Sequence, residues 1–146
     1  MEAVQEIAKF LTTFCCGLFA GAAVYVNLVE HPARMECGTE IAATEFGPSY
    51  RRAAVMQASL AAVGLLSSIV VWLGGAPIGW LVGGVLLGSV IPVTLVIIMP
   101  ANKQLLAPTL NKGSVQAQEL LSRWGKLHAI RSVLSVIALI ILLLST

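Results

Sequence analysis

The sequence predicts an all-α protein, a four-helix transmembrane bundle connected up-down-up-down, in a single domain over residues 1–146. Three observations predict it. First, Phe10–Val29, Ala53–Leu73 and Pro77–Met99 are free of charge over 20, 21 and 23 positions. A hydrocarbon core about 30 Å thick needs about 20 apolar residues in an α-helix. Second, a fourth apolar run, Ser132–Ser145, reaches that length if its helix carries Lys126, His128 and Arg131 up to the interface. Third, the chain is 58% hydrophobic and 11% charged, with mean hydropathy +0.90. Soluble domains are about 25% charged.

The first span has a polar lead-in, Met1–Lys9, and runs to about Glu30. Pro32 biases His31 away from helical geometry and predicts a boundary there. Phe10–Val29 is long for a signal-peptide core and reads as a retained span. The first long loop is expected over Glu30–Arg52, with a short helix from Thr39 to Phe46 and a break at Gly47-Pro48. Pro48 suits the first turn of the second helix. That helix ends at Gly74-Gly75, and Pro77 opens the third. Pro92 lies inside the third span, where it removes one hydrogen bond and crowds the carbonyl of Gly88. Met99-Pro100 ends that span, and a loop from Ala101 to about Gly113 leads to Ser114, a suitable N-cap for the fourth helix. The expected spans are 5–31, 48–73, 77–99 and 115–144.

Gly17 and Gly21, and the series Gly75, Gly79, Gly83 with Gly84 and Gly88, have the four-residue spacing that lets helix backbones approach. Both glycine faces are expected to meet protein within the bundle, or a second copy in an oligomer. No longer repeat is expected. The loop side carries Arg34, Arg51, Arg52, Lys103, Lys112, Arg123, Lys126 and Arg131 against Lys9 alone on the other. The positive-inside rule then places the long loops in the cytoplasm and the termini outside. The net charge of +2 gives no footprint for nucleic acid, so the expected partners are the bilayer and a small aromatic or amphiphilic ligand. Cys15, Cys16 and Cys37 form no CxxC, and the first two read as small hydrophobes within the first span.

The polar chemistry gathers at the loop-side rim: Asn27, Glu30, His31, Arg34, Tyr50, Arg51, Arg52, Gln57, Asn102, Trp124, His128 and Arg131. Asn27 and His31 are four apart, with Arg34 three further on. Trp124, His128 and Arg131 share a helix face in the same way. Both histidines fall at one depth. Singly, such residues snorkel to headgroups or anchor at the interface. Together, at this depth, they mark a candidate site. Two histidines and Glu30 make a poor metal set, because Glu30 and His31 are adjacent and point apart, so no metal is expected.

The segments Asn27-Leu28-Val29-Glu30-His31-Pro32, Pro48-Ser49-Tyr50-Arg51-Arg52-Ala53, Met99-Pro100-Ala101-Asn102 and Leu121 to Arg131 resemble the anthrone oxygenase-like family. These are small four-span membrane proteins, mostly of unknown function. Some fungal members oxidise anthrones to anthraquinones without a known cofactor. The resemblance implies no cofactor here. If that activity carries over, His128 or His31 is the base; the helix face shared with Trp124 and Arg131 favours His128, with Arg131 as oxyanion stabiliser and Asn102 orienting the substrate. His31, Trp124, Tyr50, Asn27 and Arg34 would bind that substrate, and the five side chains His31, Asn102, Trp124, His128 and Arg131 would line one cavity. Two further classes compete: a non-catalytic lipid- or quinone-binding module, and a small interaction subunit of a membrane complex.

Overall fold

The computed structural model describes residues 2–146, and they form four long antiparallel helices with no strand among them. These are α1 (Glu2–Glu36), α2 (Thr39–Leu73), α3 (Gly79–Leu105) and α4 (Val115–Leu144), each long and apolar enough to cross a membrane. α1 packs on α2 and α4, and α3 packs on α2 and α4, giving an up-down-up-down ring. One end holds the termini and the Gly74–Ile78 link. The other holds the α1–α2 and α3–α4 connections.

The helix boundaries depart from expectation at the prolines. α1 continues past Pro32, through a π-helical turn at Val26–Glu30, into His31–Glu36. Proline clashes with the carbonyl four residues back. The wider turn ahead of Pro32 relocates that carbonyl, Leu28, and the helix survives. α3 repeats the device with a π turn at Thr94–Ile98 ahead of Pro100. The expected loop over Glu30–Arg52 therefore shrinks to Cys37-Gly38, where Gly38 has φ +96°, a geometry that glycine adopts without strain. Pro48 does not open a helix but lies inside α2. The second loop begins at Leu106 rather than Ala101. Ser114 caps α4, its Oγ accepting from the Ala117 amide at 3.1 Å.

A longer repeat than the glycine spacing also emerges. In each hairpin a π turn is followed by Pro-Ala, at Pro32-Ala33 and Pro100-Ala101. In the next helix an aromatic residue and a glycine, Phe46-Gly47 and Trp124-Gly125, precede a ring four positions on, Tyr50 or His128. The α1–α2 hairpin thus has the pattern of the α3–α4 hairpin.

Two apolar clusters fill the bundle. The one nearer the termini contains Phe19, Val71, Trp80, Leu87, Val90 and Leu142. The loop-side cluster contains Phe46, Ile98, Leu105, Leu121 and Trp124. The glycines of α3 let it approach both neighbours. A Cβ on Gly83 would lie 2.6 Å from Leu142 of α4, and one on Gly88 would lie 2.7 Å from Leu65 of α2. The α1 glycines do not act this way: nothing lies within 4 Å of a Cβ built on Gly17 or Gly21. Within the single chain that face is open, contrary to the expectation that it packs inside the bundle.

Candidate functional site

A cavity of about 170 Å³ lies where the two clusters meet. Phe19 and Val90 close it toward the termini, and Phe46, Tyr50 and Trp124 toward the loops. Its polar wall includes Glu30, Arg34, Ser49, Tyr50, Gln57, Trp124, His128 and Arg131. The expected site residues divide into those on this wall and those behind it.

His128, Arg131, Trp124, Tyr50 and Arg34 line the cavity; Asn102, His31 and Asn27 do not. Asn102 is fully buried, and its Oδ1 accepts from Trp124 Nε1 at 2.8 Å. It positions the indole and does not face a ligand. The His31 ring lies 5.2 Å from the Trp124 ring and packs against Gly125, where an added Cβ would come within 2.7 Å of the imidazole. Gly125 is thus the residue that lets α1 bring His31 onto α4. Trp124 also meets His128 at 4.8 Å and Phe46 edge-on at 5.1 Å. Tyr50 stacks on Phe46 at 5.7 Å. The indole is the hub of an aromatic cluster that forms the loop-side wall.

Asn27 fixes His128. Its Nδ2 donates to the Gly125 carbonyl at 2.9 Å, and a carbonyl can only accept. The amide orientation is therefore set, and Oδ1 faces His128 Nδ1 at 2.8 Å. Ser132 Oγ donates to the same oxygen at 2.6 Å. An amide oxygen only accepts, so the neutral imidazole carries its proton on Nδ1. Nε2 keeps the lone pair, on a ring that lines the cavity. The π turn holds Asn27, and such turns are frequent at functional sites.

The two arginines differ. Arg34 is committed: it bonds Glu30 and pairs with Glu45, Nε to Oε2 at 2.8 Å, and Ser49 Oγ donates to Glu30 at 2.8 Å. It clamps α1 to α2 at the rim while still lining the cavity. Arg131 has no carboxylate partner among the described residues. One nitrogen donates to Gln57 Oε1, the guanidinium lies 5.3 Å from the Phe19 ring, and Nε is buried without a partner. A charge without a carboxylate partner, on a residue that lines a cavity, suits an oxygen-bearing anion.

Gln57 stands out as the residue sequence reasoning underweighted. It is a buried polar side chain within the apolar run Ala53–Leu73, and that isolation is the signal that marks it. Glu45 gave no such signal, because its partner is set by the α1–α2 packing. Among the described residues no group of three or more His, Cys, Asp or Glu is placed to hold a metal ion.

The fold and the cavity define a class: a four-span membrane protein with an imidazole and an unpaired guanidinium on one internal wall. The chain matches the anthrone oxygenase family over residues 46–141, the greater part of its length, and it belongs to that family. The matched segment holds Tyr50, Gln57, Asn102, Trp124, His128 and Arg131, while Asn27, Glu30, His31 and Arg34 precede it. No curated protein and no solved structure matches the chain.

Proposed function

We propose that this protein is a cofactor-independent oxygenase of an aromatic ketone of the anthrone type, dissolved in the membrane. The observation that carries the reading is the pairing, on one cavity wall, of a histidine whose Nε2 is free with an arginine that has no counter-ion among the described residues. Family membership supports it.

The chemistry follows from those two groups. The benzylic C–H of an anthrone is acidic because its anion delocalises onto the ketone oxygen. His128 Nε2 takes that proton. The charge that develops on oxygen meets Arg131, held by Gln57. The carbanion passes one electron to dioxygen, giving a carbon radical and superoxide. These couple to a hydroperoxide anion, which is protonated. Loss of the second benzylic proton with cleavage of the O–O bond releases water and leaves the second carbonyl. One anthrone and one dioxygen thus yield one anthraquinone and one water. Trp124 and Tyr50 supply the flat wall for the rings.

The test is oxygen uptake with anthrone. His128→Ala is expected to lose about 10²–10⁴-fold, the usual contribution of a general base, while keeping its helicity. Arg131→Gln is expected to lose activity also. Full activity in His128→Ala removes the base, and a wild-type protein inert to anthrones removes the reaction. The largely apolar remainder of the wall, including Val26, Val90, Ile91 and Leu95, favours one alternative, a non-catalytic carrier of the same kind of molecule. Binding of anthrone without oxygen uptake selects it.

A further inference from the structure

We infer that the cavity opens sideways into the bilayer, through a gap between α2 and α3, and takes its ligand from the hydrocarbon rather than from water. The close approach of these helices lies in their termini-side half, where Gly84 meets Ser68 and Gly88 meets Leu65. Toward the loops the π turn Thr94–Ile98 packs on α4 and not closely on α2. The α2 side of this region bears the smallest side chains, Ala54 and Ala58, one turn apart. The α3 side bears Ile91 and Leu95. All four line the cavity, and Ala58 and Leu95 are also exposed on the outer surface. A residue that lines a cavity and is exposed outside stands at its mouth.

The mouth lies at membrane depth. Ala58 is five residues inside the charge-free run that starts at Ala53, and Leu95 four residues inside the one that ends at Met99. At 1.5 Å per residue these are about 7 Å and about 6 Å below the ends of the runs. The gap is edged by methyl and isobutyl groups, while the wall it leads to carries Gln57, His128 and Arg131. That gradient, apolar mouth to polar interior, fits an amphiphile with a flat apolar body and one oxygen-bearing end.

The experiment uses the bilayer as probe and needs no turnover. The chain has three tryptophans, and Trp72→Phe with Trp80→Phe leaves Trp124, on the cavity wall, as the only emitter. In vesicles of phosphatidylcholine brominated on its acyl chains, Trp124 emission is expected to be quenched. Ala58→Phe or Ala54→Leu, each filling the gap, is expected to abolish most of that quenching. If Trp80→Phe unfolds the bundle, subtracting the emission of Trp124→Phe from that of the wild type isolates the same signal. Bromolipid quenching that is absent, or unchanged in both gap-filling variants, overturns the inference. Quenching by aqueous acrylamide alone also overturns it, because the opening would then lie at the rim. The result is independent of whether anthrones are oxidised.

Discussion

At the scale of single residues, the site is a set of polar groups each held by one defined neighbour. Asn27 is the clearest case, since one amide satisfies a carbonyl, a hydroxyl and an imidazole at once. Asn27→Leu leaves those partners unmet in a half-buried place, and each such loss costs about 1–3 kcal/mol. The variant should be destabilised, and the His128 ring should sample both tautomers. Nitrogen-15 shifts of the imidazole check this: a single Nδ1–H pattern in the wild type, and a mixture in Asn27→Leu. Asn27→Asp keeps an acceptor at Oδ1 and should retain the single pattern. An unchanged tautomer in Asn27→Leu would refute the role. Periodicity put Asn27, His31 and Arg34 on one face and His128 with Trp124 and Arg131 on another; the second group lines the cavity together, whereas Asn27 and His31 pack on α4 and Arg34 pairs with α2. The sequence could not say which members reach the cavity. That depends on how deeply each helix sits against its neighbour, and Asn102 and His31 sit behind the indole.

At the scale of elements, the glycines separate into two functions that sequence spacing alone cannot tell apart. Those on α3 are pressed against α2 and α4, while Gly17 and Gly21 on α1 meet nothing. Gly83→Leu should therefore overpack the α3–α4 contact, at about 1–3 kcal/mol. Gly21→Leu should change stability by less than about 0.5 kcal/mol, as open sites usually do. Unfolding in mixed detergent micelles measures both, and equal losses would show that the α1 face is covered by something. The spans themselves were legible, because charge-free length is set by bilayer thickness. Their loop-side ends were not, because Pro32 and Pro100 read as stops until the preceding turn widens to π. The same widening aims Asn27 at α4, so the feature that hid the boundary also builds the site.

At the scale of the whole molecule, the helices outlast the membrane mostly at one end. α2 has 35 residues, about 52 Å at 1.5 Å per residue, against a core of about 30 Å. The excess lies on the loop side, where α1 and α2 carry Glu30, Arg34, Glu45, Arg51 and Arg52 above the charge-free runs. Setting aside Arg131, which faces the cavity, seven Lys and Arg remain on that side against Lys9 on the other. Positive charge is retained on the cytoplasmic face during insertion. The protruding end, with the rim of the cavity, is therefore predicted to face the cytoplasm. Cys37 offers a native reporter. It lies exposed in the α1–α2 connection, whereas Cys15 and Cys16 are buried in α1. A membrane-impermeant maleimide added to intact cells should leave the protein unlabelled, and permeabilised cells should show a single label at Cys37. Cys37→Ser should abolish it. Labelling of Cys37 in intact cells would invert the topology, and the cavity rim would then face outward.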